Sequence, residues 1–249
     1  MMKAILAAIG LLAAGIVNAD ILHSIGVARG TDDNAIRYIE HHQLLPNRRK
    51  LIRYYDPELN LVAWKTLSWK ALPQQPDIEQ EDLVTNTRID ITVSQTAVTQ
   101  SVSRDGESQQ FTNKLDDNTV VDAGFDEFIR DQWAVLTSTG ARSLKFSFAI
   151  AGRDGPLAMR IVPRGNNNAG ARFTVEPGNW LVRQLVPAIE LTYDVSRRLT
   201  RFEGFSNIQR QPGQGPTVTV DFQHFSLDRE LDAPLPEWIA AFGAQDSSG

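Results

Sequence analysis

The segment "GFDEFIRDQWAVLTSTG", from Gly124 to Gly140, decides how this chain folds, because its apolar residues recur at helical spacing over a long stretch. At about 100° per residue these apolar side chains fall on one side of a helix. They are Phe125, Phe128, Ile129, Trp133 and Leu136, with Gln132 as the one polar residue among them. A helix of about four turns is barely stable alone in water. The sequence therefore predicts that this helix packs on another apolar surface.

The two ends of the predicted helix carry suitable residues. Asp122 can cap the N-terminus, and Asp126 and Glu127 follow where the positive end of the helix dipole favours acids. Gly140 can end the helix in a left-handed turn.

Most of the remaining chain alternates apolar and polar residues at period two, which is typical of half-buried antiparallel strands. Turn signals separate these runs. They are "DPELN" (Asp56 to Asn60), "RDGE" (Arg104 to Glu107), "GRDG" (Gly152 to Gly155) and the stretch from Asp194 to Arg198. The predicted fold is mainly β, of the α+β class: a curved antiparallel sheet or half-barrel of about ten strands, packed on one amphipathic helix.

Two segments break this pattern. The stretch "LPQQPDIEQEDL", from Leu72 to Leu83, has two prolines and no periodicity, so it predicts a connecting loop or a weak boundary. Near the C-terminus, "LPEWIAAF" spaces Trp238, Ile239 and Phe242 as a short amphipathic helix would.

The N-terminal segment of the chain predicts export. Residues 1–19 combine Lys3, an apolar run from Ala4 to Val17 and a small-residue cleavage site after Ala19, as in a secretory signal peptide. We expect a periplasmic protein with one β-rich domain over residues 20–242 and a disordered tail over residues 243–249. No later segment is long and apolar enough for an integral membrane span.

Composition narrows the classes of partner. The net charge of -5 comes from interspersed acids and bases, so no nucleic-acid partner is expected. The absence of cysteine excludes disulfides, thiolate metal sites and a cysteine nucleophile. No segment has the spacing of a cofactor or metal site, and we expect neither.

The catalytic question stays open, with a non-enzymatic role favoured, because no diagnostic motif is present. Glu40 and His42 share one face of a predicted strand while His41 points to the other, and His224 lies in another predicted strand. A hydrolase would need these residues to converge in a cleft. The alternative is ordinary pairing on a sheet surface. His23 lies near the mature N-terminus, where disorder is common.

The arrangement of successive hairpins around "GFDEFIRDQWAVL" resembles the half-barrel proteins of the bacterial envelope, including the periplasmic lipoprotein carriers. That segment and "NWLVRQLVPAIELTYD" are also similar to segments of an uncharacterised proteobacterial exported family. In the carriers, a concave sheet and a helical lid shelter acyl chains. The resemblance therefore implies a groove between sheet and helix that is filled by side chains or open to a lipid.

We accordingly predict a non-enzymatic periplasmic protein, with an apolar small molecule or lipid as its possible ligand. Six apolar side chains are predicted to line the groove, and Gln132 to bond to backbone or face a ligand. The six are Phe125, Ile129, Trp133, Leu136, Phe146 and Phe148. The alternatives are an envelope protein–protein interaction module, using a sheet edge or a Trp face, and the hydrolase.

Overall fold

One continuous sheet of fifteen strands forms the body of the protein in a computed structural model, which describes residues 21–184, 187–206, 208 and 217–243. The predicted signal peptide and all of the predicted tail except Gly243 lie outside the described residues. The strands are β1 (Ile21–Gly30), β2 (Ile36–Leu45), β3 (Arg49–Tyr55), β4 (Leu61–Ser68), β5 (Asp77–Asp82), β6 (Thr87–Val93), β7 (Ala97–Arg104), β8 (Glu107–Lys114), β9 (Thr119–Val121), β10 (Leu144–Ala149), β11 (Leu157–Asn167), β12 (Gly170–Pro177), β13 (Ile189–Asp194), β14 (Leu199–Phe205) and β15 (Thr217–Leu227).

The sheet runs in the order β8-β7-β6-β5-β4-β3-β2-β1-β15-β14-β13-β12-β11-β10-β9. Every neighbouring pair is antiparallel except β9 and β10, which run parallel. The sheet curls so far that the turn between β10 and β11 reaches β7 and β8, at the opposite end of the sheet. There Gly152 N–H donates to Gln100 Oε1 at 3.0 Å, and Gly155 N–H donates to Asn113 Oδ1 at 2.8 Å.

The mainly β class and the curved sheet are confirmed, but the predicted strand count of about ten was wrong. One missed strand is β5, which lies inside the segment Leu72 to Leu83 that predicted a loop. Its acids disfavour a strand locally, yet β5 pairs with β4 and β6 along its whole length. Another is β1, the strand that joins both halves of the sheet and buries His23 completely.

The predicted four-turn helix is two shorter helices, α1 (Phe125–Asp131) and α2 (Trp133–Leu136), which meet at Gln132. The predicted cap is also absent, because Gly124 occupies the N-cap position and no side chain bonds there. The Asp122 carboxylate instead accepts the Ala123 N–H and the Lys65 ammonium, both at 2.8 Å. This ion pair ties the start of the helical segment to β4.

The helical segment contacts the inner, concave face of the sheet. The Phe128 ring centroid lies 5.6 Å from that of Phe146, and Trp133 lies edge-on to Phe173 at 5.6 Å. Ile129 is fully buried in the same cluster as strand residues of β10 to β13. Each side chain buried in this way contributes about 1.5–3 kcal/mol before conformational entropy is subtracted.

The predicted C-terminal helix is present as α3 (Pro236–Gly243), and it packs on the outer, convex face of the sheet. Trp238 stacks on Phe225 of β15 at 4.4 Å, and Phe242 is buried in the same cluster. The cluster also contains Ile25, Val27, Ile39 and Tyr55 from β1 to β3. Both faces of the central strands are therefore covered.

Candidate functional site

The concave face divides into two regions that differ in what lies over them. We call the part beneath α1 and α2, formed by β1 to β3 and β9 to β15, the covered region. We call the part formed by β5 to β8 the open region. Because side chains alternate along a strand, the cross-strand register identifies which residues of each strand face inward.

The residues predicted to line a groove all lie in the covered region. Ile129, Leu136 and Phe146 are at most 4% exposed, while Phe125, Trp133 and Phe148 are half-buried and pack against the same cluster. Two cavities of about 70 Å³ each lie against α1, one of them lined by Phe125. Small-molecule sites measure roughly 300–1,000 Å³, so each of these spaces suits a few water molecules. The Gln132 amide donates to the Asp131 carboxylate at 2.7 Å, on the exposed side.

Charged residues surround those two small cavities. The Asp126 carboxylate of α1 accepts hydrogen bonds from Tyr193 Oη at 3.0 Å and from Arg130 Nη2 at 2.9 Å, and Lys50 Nζ lies 3.7 Å away. Burial opposes the charged form of Asp126, but Arg130 and Lys50 hold the pKa of its carboxyl below the ordinary value. Burial raises the pKa of Tyr193 well above its ordinary value, and the Asp126 carboxylate adds to that shift. These contacts anchor α1 to the sheet.

Two of the three residues considered for a hydrolase converge here. His42 Nε2–H donates to Glu40 Oε2 at 2.7 Å, and burial lowers the pKa of His42. Ser24 of β1 lies directly between His42 and His224 in the strand register and lines the same cavity as both. His224 is half-buried, as expected for a strand histidine, and its Nε2–H donates to the Leu199 carbonyl at 2.9 Å. Within the described residues, no group of three or more acids and histidines is arranged to hold a metal ion.

The open region holds a cavity of about 700 Å³, which is within the range of small-molecule sites. Its wall is the inward face of β5 to β8, and the turn after β10 closes one side. The lining residues are Gln80, Asp82, Thr85, Thr87, Ile89, Val102, Arg104, Asp105, Glu107, Gln109, Ala151 and Gly152. Ile89 and Val102 are paired across β6 and β7 and form an apolar floor, while most of the other side chains are polar.

Acids outnumber bases in this cavity, with Asp82, Asp105 and Glu107 against Arg104. Asp82 Oδ1 accepts the backbone N–H groups of Val84 and Thr85, and Arg104 Nε donates to Thr87 Oγ1 at 2.8 Å. Within the described part of the chain, none of these three acids forms an ion pair. The cavity therefore offers unneutralised carboxylates to a cation.

Sequence reasoning missed this cavity because it looked for an apolar groove. The signal was the strand "ESQQFTNK" (Glu107 to Lys114), whose residues are polar on both faces apart from Phe111. A strand with no apolar face predicts that neither side is packed against a core. Which polar residues would meet across β5 to β8 depends on a register that the sequence does not show.

A second buried polar cluster lies on the convex face, beneath α3. His41 Nε2–H donates to His23 Nδ1 at 3.1 Å, and His23 Nε2–H donates to the Arg229 carbonyl at 3.0 Å. Trp238 contacts both imidazole rings. Burial is the main cause that lowers the pKa of His41 to about 3, and burial also lowers the pKa of His23. Both rings are therefore neutral at pH 7.

Comparison with known proteins assigns no family to this chain. No protein-family model matches it, and no curated protein matches it. A crystal structure of a β-barrel-like protein of domain of unknown function DUF1849 from Brucella abortus is similar, with 8% identity and a TM-score of 0.43. The match covers 85% of this chain and 99% of that chain. Separately, no described helix has the length and apolar character that crossing a bilayer requires.

Proposed function

We propose that this chain is an exported, non-enzymatic binding protein of a bacterial periplasm, and that it holds a polar ligand in the open region. The observation that carries this proposal is the cavity of about 700 Å³ on the concave face of β5 to β8. Binding sites are usually concave, largely preformed spaces of this size with a few convergent polar groups.

The polar wall of the cavity indicates the kind of ligand. Gln80 and Gln109 offer amide groups, and three carboxylates face a single guanidinium. A ligand that carries a positive charge and hydrogen-bonding groups would pair with these side chains, while Ile89 and Val102 would contact its apolar part. An anionic ligand would meet repulsion from the acids.

The apolar ligand predicted between helix and sheet stays a prediction. The spaces beside α1 measure about 70 Å³ each, and the surrounding volume is occupied by the protein's own side chains. An acyl chain would have to displace side chains such as Phe128 and Phe146. This observation favours the open region as the ligand site.

Native mass spectrometry on protein recovered from the periplasm tests the proposal. We expect the full-length gene to direct the protein to that fraction, with the mature chain starting at Asp20. We also expect a polar ligand to accompany it, to be identified after denaturing extraction. An acyl lipid in place of the polar ligand would move the site to the helix. An unloaded protein that binds nothing in a screen of cationic metabolites and peptides would overturn the proposal.

A matched pair of variants locates the ligand. Val102→Trp would fill the cavity from its floor, whereas Ser101→Trp places the same side chain on the convex face of the same strand. We expect only the first variant to lose the ligand. Equal loss in both variants would show that the ligand lies elsewhere.

A hydrolase is a second candidate function, because Glu40 and His42 are within hydrogen-bond distance beside Ser24. His42 would act as general base toward the Ser24 hydroxyl, with Glu40 orienting the imidazole. A fluorophosphonate probe tests this function directly. Labelling that disappears in Ser24→Ala would support it, and the absence of labelling in the wild-type protein would reject it.

A further inference from the structure

The two edge strands of the curled sheet, β9 and β8, differ in length and in what their free sides contact. The edge strand β9 has three buried residues, and Val121 N–H at its end donates to the Gln74 carbonyl of the β4–β5 loop at 2.9 Å. The Gln75 amide donates to the Thr119 carbonyl of the same strand at 3.1 Å. The opposite edge strand, β8, has eight residues and pairs with β7 along one side. Within the described residues, no strand pairs with its other side.

The hairpin turn shows which backbone groups of β8 are free for pairing. Asp105 and Gly106 both have positive φ, 50° and 87°, as in a two-residue type I′ turn. Arg104 and Glu107 therefore form a hydrogen-bonded pair, and hydrogen-bonded and non-bonded pairs alternate from there along the ladder. It follows that Ser108, Gln110 and Thr112 direct their N–H and C=O groups away from β7.

The central part of the β8 edge, from Ser108 to Thr112, lacks the devices that prevent strand addition. Natural proteins protect exposed edges with charged side chains, prolines, bulges or short strands. The register between β7 and β8 is regular, and the stretch from Ser108 to Thr112 carries neither charge nor proline. Charged residues stand only at the ends, at Glu107 and Lys114.

The same strand forms one wall of the large cavity. Glu107 and Gln109 point inward and line it, while Ser108 and Gln110 point to the convex side. A strand added to β8 would therefore direct alternate side chains into the cavity, next to Glu107. The excess of acids there favours a basic side chain at that position.

We propose that β8 binds an extended peptide segment of a partner protein, which adds as a sixteenth strand and places a Lys or Arg side chain in the cavity. This inference rests on the proposed function and specifies its ligand. Backbone hydrogen bonds to Ser108, Gln110 and Thr112 provide affinity, and the acidic cavity provides selectivity. A second copy of this chain fits less well, because pairing β8 with itself about Gln110 brings Asn113, not a cation, opposite Glu107.

Fluorescence anisotropy with three labelled decapeptides tests the charge requirement. The probes alternate Thr with Lys, with Glu or with Gln, so that they share length and strand propensity. We expect the Lys peptide to bind at least tenfold more tightly than the Glu peptide. Equal affinity for all three probes, or no binding by any of them, would overturn the inference.

Two pairs of variants separate the edge from the cavity. Gln110→Pro removes an outward N–H and is compatible with the fold, because proline is tolerated where that group faces solvent at an edge; Gln110→Thr keeps the N–H as its control. Glu107→Gln removes cavity charge and leaves the edge intact. We expect Gln110→Pro and Glu107→Gln each to weaken binding of the Lys peptide at least tenfold, with Gln110→Thr unchanged.

Other outcomes distinguish this inference from the proposed function. If Gln110→Pro binds normally while Glu107→Gln does not, the cavity binds its ligand without strand addition, and only the peptide inference fails. If the protein forms a concentration-dependent dimer that Gln110→Pro abolishes, the edge pairs with a second copy, and the peptide partner is rejected. Light scattering measures this state.

Discussion

The covered and open regions belong to one sheet, but their concave faces are filled differently. In the covered region, α1 and α2 contribute Phe128, Ile129 and Leu136 to a cluster with β10 to β13, and the two cavities beside α1 measure about 70 Å³ each. In the open region, no helix among the described residues lies over β5 to β8, the inward side chains are largely polar, and the cavity measures about 700 Å³. The difference indicates that the covered region contributes more to the stability of the protein, whereas the open region has space that a ligand could occupy.

The largest expected effect on stability is at the junction between the two regions. Lys65 is 3% exposed, and its ammonium pairs with Asp122 at 2.8 Å. We expect Lys65→Met to reduce the free energy of unfolding by roughly 3–5 kcal/mol, because it leaves a carboxylate without its partner in a buried setting. Urea denaturation measures the change. The double variant Lys65→Met with Asp122→Asn should recover much of the loss, and no recovery would show that the cost is packing alone.

A matched pair of isoleucines compares the two regions directly. Ile129 of α1 is fully buried, whereas Ile89 of β6 is half-buried and borders the large cavity. We expect Ile129→Ala to lower the free energy of unfolding by about 2–5 kcal/mol. For Ile89→Ala, we expect about 1 kcal/mol or less, because its removal enlarges a space that already exists. Similar losses of unfolding free energy in the two variants, measured by denaturant titration, would contradict a greater contribution of the covered region to stability.

Acid should selectively weaken the strands that form the covered region, since all four histidines lie in β1, β2 and β15, on one face or the other. The pKa of His41 is lowered from 6.5 to about 3. Between these two pH values, His41 is protonated in the unfolded chain but neutral in the folded protein. The stability that neutral His41 contributes is thus fully present above pH 6.5 and falls as the pH decreases toward 3. Between pH 7.5 and pH 5, His41 alone accounts for roughly 2 kcal/mol.

The variant His41→Gln tests that assignment. Its free energy of unfolding should change less between pH 7.5 and pH 5 than that of the wild-type protein, although it starts from a lower value. Hydrogen exchange should show protection lost first in β1 and β2, not in β5 to β8. An unaltered pH dependence in the variant would mean that other groups control the acid response.

The smallest effect on stability is expected in the open region. Gln109 is exposed, lines the cavity and has no side-chain partner among the described residues. We expect Gln109→Ala to change the free energy of unfolding by no more than about 0.5 kcal/mol. The same variant should bind the Lys peptide or the co-purified molecule more weakly. A large destabilisation would show that this wall is structural.

Local patterns were sufficient for several elements of the fold. The turns at Asp56 to Asn60 and at Asp194 to Arg198, and the helix α3, lie where their residues predict them. Such signals are local, because turn residues and apolar spacing act over a few positions. The strand β5 was missed, since its acids disfavour a strand and only its two neighbours stabilise it there.

The candidate sites depended on long-range geometry. Glu40 and His42 were expected on one face, because side chains two apart in a strand point the same way. The position of Ser24 beside them follows from the register between β1 and β2, which lies outside any local pattern. The same is true of Asp82, Arg104 and Glu107, which line one cavity only because β5 to β8 align in one register.

By itself, the sequence determined the mainly β class, the amphipathic character of the segment from Phe125 to Leu136 and most of the hairpin turns, because each of these depends on neighbouring residues. Only the tertiary structure decided that the helices cover one region and leave the other open. That division depends on how fifteen strands twist and curl together, and on which strands the helical segment can reach after β9. Register and curvature are properties of the whole sheet, so they determine where the large cavity lies.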